Sequence, residues 1–218
     1  MSDLSNRDII LGKIKNALTN KTEYRDAAIE SRDVYFTNAD EDLAFRFENE
    51  FTSLLGKFFL CSSGQQAYTK LQELSSLRQW HSVFCNTAAL QRVLHLETLT
   101  FINSEGIDSS EAALTDCECL IARTGTIVLS AAQPSGRIIP IYAPIHIVIA
   151  YSHQLVPDIK DAIDLLKDKY NNNLPSVLSL ATGPSRTGDI EKTLVVGVHG
   201  PREVYVLLID EPEDIMTP

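Results

Sequence analysis

The segment Ile145-His-Ile-Val-Ile-Ala150 decides the fold class, because five of its six residues are apolar. A strand of a parallel sheet whose two faces are both covered has this near-continuous hydrophobic pattern. A second segment, Val204 to Ile209, is predicted to be the last strand of the chain. Together they predict a sheet that is mostly parallel and buried.

Helical and strand patterns alternate outward from this segment. Two of the helices are predicted from capping boxes, in which a hydroxyl residue is followed three positions later by Gln or Glu: Ser63 with Gln66, and Thr115 with Glu118. The predicted strands are 57–61, 82–85, 126–130, 145–150, 177–181 and 204–209. The predicted helices are 5–18, 40–55, 63–78, 87–94, 115–123, 157–170 and 189–196.

Strands that alternate with helices form a mostly parallel sheet with helices on both faces. The predicted fold class is therefore α/β. A chain of 218 residues is long enough for one large core. We expect residues 1–39 to form an N-terminal helix and arm, and residues 40–218 to form a single α/β domain.

Composition and charge exclude several classes of function. The net charge of −10 leaves the chain without the basic surface that nucleic acid or an anionic membrane requires. The apolar stretch from residue 138 to 151 contains Pro140 and Pro144 and has 14 residues, fewer than the ~20 that span a bilayer. The N-terminus shows no secretory signal. We therefore predict a cytoplasmic protein without a membrane span and without a nucleic-acid partner.

The four cysteines do not form a recognisable metal-binding pattern. Cys117 and Cys119 are the only close pair, and no C-x-x-C motif is present. Iron–sulfur and structural zinc sites usually need more thiolates in tighter groups. We predict buried free thiols, no metal site and no cofactor.

The segment 181–191 is the densest cluster of residues that could carry chemistry. It follows a predicted strand and leads into a predicted helix, and ligands of open α/β sheets bind beyond the carboxyl ends of strands. Its glycines let a ligand approach the backbone, and its hydroxyls can donate hydrogen bonds. Its arginine can bind a carboxylate or phosphate through two hydrogen bonds. The alternative is an ordinary strand–turn–helix connection. The candidate ligand contacts are Gly183, Pro184, Ser185, Arg186, Thr187, Asp189 and Glu191.

Two further segments are candidates for the same site. His199 and Gly200 precede the last strand, where the histidine acts as an acid, a base or a donor, or else caps a turn. Thr124, Gly125 and Thr126 present two hydroxyls around a glycine, and either line a polar pocket or form a helix C-cap.

Two isolated residues complete the candidate site. Arg137 lies in a turn-like stretch, and His146 lies in an apolar strand, where it is either a ligand contact or a satisfied core residue. Arginines at 123, 137, 186 and 202 accompany these motifs. In an acidic chain that placement predicts a locally positive pocket for a small anion.

The motifs resemble those of the LUD-domain family, and within it the branch of short lactate-utilisation C proteins. The residues that carry the resemblance are Thr124-Gly-Thr126, His146, Thr182-Gly-Pro-Ser-Arg-Thr-Gly-Asp-Ile-Glu191 and His199-Gly-Pro201. The resemblance implies a Rossmann-like three-layer sandwich of the NagB/RpiA/CoA-transferase-like group. It also implies a role in oxidising L-lactate to pyruvate, together with iron–sulfur proteins of the same operon.

The activities of the related folds do not follow from this resemblance. The catalytic residues of CoA transferases and ribose-phosphate isomerases match no motif here, so the catalytic residues stay unknown. Gly188 also stands where many family members carry alanine. The leading hypothesis is a non-redox subunit that binds a small carboxylate or phosphate. The alternatives are a stand-alone enzyme acting on a CoA-linked or phosphorylated molecule, and a structural scaffold.

Overall fold

The computed structural model of the chain describes residues 6–19, 42–96, 99, 102–103, 106–135, 137–187 and 195–210. The chain divides into two compact units, residues 1–38 and 39–218. The first contains helix α1 (Asn6–Thr19), in agreement with the helix predicted at 5–18. The rest of the predicted arm lies outside the described residues. All other described elements belong to the second unit.

The second unit contains five described helices and twelve described strands. The helices are α2 (Leu43–Ser53), α3 (Gly64–Arg78), α4 (Ala88–Val93), α5 (Ile139–Tyr142) and α6 (Ile159–Lys169). The strands are β1 (Lys57–Cys61), β2 (Val83–Phe84), β3 (Ile102–Asn103), β4 (Ala112–Thr115), β5 (Cys119–Ile121), β6 (Thr126–Ser130), β7 (Ile145–Tyr151), β8 (Leu155–Val156), β9 (Leu178–Ala181), β10 (Arg186–Thr187), β11 (Val195–Val196) and β12 (Glu203–Ile209). Among the described residues, no helix is long and apolar enough to cross a membrane.

A six-stranded sheet forms the centre of this unit, in the order β1-β12-β7-β4-β2-β3. Every pair in it is parallel, and Ile147 of β7 lies between Tyr205 of β12 and Leu114 of β4. Both β7 and β12 are buried over almost their whole length. The apolar segments therefore form the middle of the sheet, which confirms the mostly parallel α/β class.

The two faces of this sheet are covered in different ways. Ile147 and Ile149 pack on one face with residues of α3 and α4. Val148 and Ala150 pack on the other face with α2 and with β5 and β6. Those two strands belong to a second sheet, in the order β8-β5-β6-β9, whose far side is covered by α6. Three layers were expected and four are present, because the small sheet lies between the parallel sheet and helix α6.

The prediction of a helix at 115–123 is wrong. Thr115 ends β4, and Cys119–Ile121 forms β5, which pairs antiparallel with β6. Glu118 does not cap a helix: its carboxylate accepts hydrogen bonds from Ser130, Lys169 and Tyr170. The hydrogen bonds of Glu118 join residues that are distant in sequence, whereas a capping box describes only four neighbouring residues. A single 3₁₀ turn, Ala122–Thr124, is the helical remnant.

The helix predicted at 189–196 is wrong at its end, where Val195–Val196 forms β11 and pairs antiparallel with β10. Residues 188–194 lie outside the described residues. The helix predicted at 157–170 begins later than expected: Asp158 is the N-cap of α6, so Pro157 precedes the cap. The short elements β3, β4 and α5 were not predicted, since two to four residues carry no clear period.

Candidate functional site

The segments 182–185 and 199–201 lie side by side, although they are distant in sequence. The Ser185 N–H donates to the carbonyl of Pro201 at 2.9 Å, and the Gly197 N–H donates to the carbonyl of Ser185 at 2.8 Å. A β-carbon on Gly200 would lie 2.9 Å from the β-carbon of Ser185, so the two loops are in close contact. Strands β10 and β11, which lie between these segments in the chain, pair antiparallel.

These loops enclose a cavity of about 360 Å³ at the amino end of the parallel sheet, here called the amino-edge cavity. His146 and Val204, each the second residue of its strand, fix its position. Its polar side chains are those of His146, Thr182, Ser185 and His199, and none of the described residues that line it is acidic. The described residues that line it are His146, Leu180, Ala181, Thr182, Gly183, Pro184, Ser185, His199, Gly200, Pro201 and Val204.

His146 is a buried and neutral member of this wall. Its side chain is 1% exposed, and its Nε2 lies 2.8 Å from the hydroxyl oxygen of Thr115. Burial lowers the pKa of His146 to about 4, because the charged imidazolium would lose its hydration. At neutral pH it therefore contributes hydrogen bonding and not positive charge.

The arginines expected around the site do not form one cluster. Arg123 forms an ion pair with Asp158 at 2.7 Å, and Arg137 donates to the hydroxyl of Ser176 at 2.5 Å. Arg186 is exposed on β10. Arg202 lines an adjoining cavity of about 480 Å³, which shares His199 and Gly200 with the amino-edge cavity.

The Thr124-Gly125-Thr126 segment contacts the wall of this cavity through Thr182. The Thr126 hydroxyl oxygen lies 2.7 Å from that of Thr124 and 3.0 Å from that of Thr182, which lines the cavity. Gly125 has φ = 57° and ends the 3₁₀ turn, so the C-cap alternative describes its conformation. A β-carbon there would overlap the backbone nitrogen of Phe51 in α2.

Gly183 packs on the end of α2 in the same way. Its φ is 85°, and a β-carbon would lie 2.6 Å from the carbonyl oxygen of Leu54. Thr187 pairs with Val195 in the hairpin. Asp189 and Glu191 lie outside the described residues. The roles of all these residues as ligand contacts stay predictions.

The sequence did not point to a second cavity, of about 190 Å³, at the opposite end of the parallel sheet. This carboxyl-edge cavity is lined by Thr87, Ala89, Leu90, Asp116, Cys117, Gln133, Ile149, Tyr151, His153, Gln154 and Lys169. Its main signal in the sequence is Asp116 directly after a buried strand. That strand, β4, had not been recognised.

Comparison with known families gives one clear match. The model of the LUD domain matches residues 45–209, which is most of the chain. The crystal structure of a DUF162 family protein from Deinococcus radiodurans superposes with a TM-score of 0.58 and 18% identity, covering 77% of this chain and 96% of that one. At that identity the likeness concerns the fold alone.

Curated relatives share part of their length with this chain. Lactate utilization protein C of Bacillus velezensis and that of Bacillus subtilis are each 33% identical over 111 residues. The aligned region is 50% of this chain and 46% of each relative. The chain thus spans about half the length of the relatives it matches.

Proposed function

We propose, from the premise that this chain belongs to the LUD-domain family, that it supports the oxidation of L-lactate to pyruvate as a non-redox subunit. Its relatives are named lactate utilization protein C, which links the chain to lactate utilisation. The finer proposal is that it works in the cytoplasm beside iron–sulfur proteins and binds a small carboxylate in the amino-edge cavity.

The observation that carries the proposal is the charge pattern at the amino-edge cavity. The chain has a net charge of −10, yet none of the described residues that line this cavity or the adjoining one is acidic. The hydroxyls of Thr182 and Ser185 and the imidazole of His199 can donate to an anion, and Arg202 supplies a positive charge next to them. Local charge rather than total charge decides what a pocket binds.

The positions of the cysteines support the non-redox part. Cys61 and Cys85 pack in the core on the α3 and α4 side of the sheet, Cys117 packs on the other side, and Cys119 packs beneath α6. An iron–sulfur cluster needs about four thiolates in one place. Because these thiols lie in three separate cores, the proposal assigns electron transfer to a partner protein.

Binding of L-lactate, pyruvate and inorganic phosphate to the full chain, measured by titration calorimetry, tests the ligand. Ser185→Ala and Arg202→Gln should each weaken binding by about 10-fold to 100-fold, as expected when one hydrogen bond to a charged group is lost. Arg92→Gln removes an exposed arginine of α4 and should leave binding unchanged. Equal affinities in all variants would contradict the assignment.

Two other outcomes identify the alternative functions. Binding of coenzyme A esters or sugar phosphates, without binding of lactate or pyruvate, would favour a stand-alone enzyme. Absence of any ligand, with normal growth on L-lactate for a strain carrying Arg202→Gln, would favour a scaffold. Co-purification with iron–sulfur proteins tests the partner part separately.

A further inference from the structure

The strand order places a topological switch point between β2 and β4. From β2 the chain continues through α4 to β3 at the sheet edge, whereas from β4 it continues to β7 on the other side. The first connection packs on one face of the sheet and the second packs on the opposite face. Such diverging connections leave a crevice beyond the carboxyl ends of the strands, where open α/β sheets bind ligands. The carboxyl-edge cavity lies in this crevice.

Two polar atoms of this cavity are buried and have no hydrogen-bond partner among the described residues. Thr87 is 3% exposed, and its hydroxyl has no partner, although the residue stands at the N-cap position of α4 where it could cap the helix. The Oδ1 atom of Asp116 is also buried and unpartnered. An unpaired buried polar group costs about 1–3 kcal/mol, and each such group in a native protein calls for an explanation. A bound ligand that hydrogen-bonds to the Thr87 hydroxyl and to Asp116 Oδ1 explains both buried atoms.

The charges around the cavity select the class of ligand. Asp116 repels an anion. Lys169, whose ammonium is paired with Glu118 at 2.7 Å, disfavours a cation, so a ligand of either sign meets a like charge on the wall. Burial, the largest influence, raises the pKa of Asp116, although its own backbone N–H and the Gln133 side chain donate to the carboxylate. The site therefore favours an uncharged molecule that donates hydrogen bonds.

The size and the apolar surface of the cavity limit the ligand further. A volume of about 190 Å³ corresponds to roughly six water molecules at ~30 Å³ each. Leu90 and Ile149 form an apolar wall against which a short carbon skeleton can pack.

We infer that the carboxyl-edge cavity binds a small uncharged polyol or pentose sugar. One hydroxyl of the ligand donates to Asp116 Oδ1, and another exchanges a hydrogen bond with the Thr87 hydroxyl. This site is separate from the amino-edge cavity: His146 and Tyr151, which line the two cavities, are five residues apart on β7, or roughly 16 Å at the rise of a strand.

Saturation-transfer NMR on the full chain tests this site, with ribose and glycerol as probes and L-lactate and ethanolamine as charged comparisons. The uncharged probes should receive saturation and compete with each other. Thr87→Val and Asp116→Asn should each weaken their binding by about tenfold. Ser185→Ala at the amino edge should leave the binding of ribose and glycerol unchanged. A failure of this inference can therefore be told apart from a failure of the lactate proposal.

Three results would overturn the inference: no transfer to either uncharged probe, equal binding by both variants and the unaltered chain, or tighter binding of ethanolamine or lactate than of ribose. Circular dichroism checks that the variants fold. Thr87→Val removes an oxygen without changing the shape of the side chain, so it decides the question even if Asp116→Asn does not fold.

Discussion

The amino and carboxyl ends of the parallel sheet differ in whether sequence motifs indicate a site there. The amino end gathers glycines, prolines and hydroxyl residues in short motifs, and the Thr126 hydroxyl bonds to those of Thr124 and Thr182. The carboxyl end has no recognisable motif, yet Thr87 and Asp116 keep buried polar atoms without partners there. The motifs thus mark special backbone conformations and the loops around the amino-edge cavity, whereas the signal at the carboxyl end is two buried polar atoms that only the folded chain brings together.

Gly125 provides the largest expected effect and tests whether the amino-end motifs are structural. Gly125→Ala should lower the free energy of unfolding by about 3–5 kcal/mol, because a positive φ is strained for alanine and its β-carbon would overlap the backbone of α2. Urea denaturation followed by circular dichroism measures the loss.

Gly64→Ala is the matched control in the same unit. A β-carbon at Gly64 would meet only the end of the Leu94 side chain, at 3.4 Å, so this variant should lose less than about 1 kcal/mol. Similar losses in the two variants would show that Gly125 is not a special position.

The two ends should also respond to pH with opposite signs. The pKa of His146 falls from 6.5 to about 4 on folding, so between these values the unfolded chain binds the extra proton. The stability that neutral His146 provides is complete above pH 6.5 and is lost as the pH falls to 4, by about 3 kcal/mol. Urea denaturation across this range should show a loss about 3 kcal/mol larger in the unaltered chain than in His146→Gln, in which the other titrating groups are the same.

Asp116 should shift stability in the other direction. Its pKa is raised by burial, so the folded chain binds the extra proton, and the penalty of the charged carboxylate is present at neutral pH and relieved as the pH falls. Asp116→Asn should therefore be at least as stable as the unaltered chain at pH 7. A clear loss of stability there would mean that the carboxylate is well compensated, which would weaken the contrast between the two ends.

Much of the fold follows from local pattern, and the exceptions have a common cause. The apolar segments 145–150 and 204–209 predicted the centre of the sheet, and Ser63 caps α3 as its pattern indicated, by accepting the Gln66 N–H. Glu118 misled because its partners Ser130, Lys169 and Tyr170 are 12 to 52 residues away. A local signal cannot show that a tertiary contact will replace it.

The features of the candidate site likewise separate into those that local sequence patterns indicate and those that depend on tertiary contacts. The sequence indicated that Ser185 and His199 belong to motifs of interest, and the fold brings both to one cavity. It did not indicate that Arg123 would pair with Asp158 or that the Thr87 hydroxyl would remain without a partner. Both facts depend on which side chains meet after folding, which spacing along the chain does not encode.

The smallest expected effect gives the sharpest comparison, because one substitution can be made at both ends. Thr126 is buried near the amino end and its hydroxyl contacts those of Thr124 and Thr182. Thr126→Val should lower the free energy of unfolding by about 1–2 kcal/mol, since those hydrogen bonds are lost at nearly constant volume. Thr87→Val removes a hydroxyl without a partner, so it should leave stability unchanged or raise it by up to about 1 kcal/mol.

The opposite signs of these two changes would separate polar groups kept for stability from polar groups kept for binding. Both residues are nearly inaccessible, at 4% and 3% exposure, so solvent does not account for a difference between them. If Thr87→Val instead destabilised the chain as much as Thr126→Val, its hydroxyl would have to be satisfied in solution, for example by an ordered water. The carboxyl-edge cavity would then be a hydrated part of the core, and the ligand would no longer be needed to explain it.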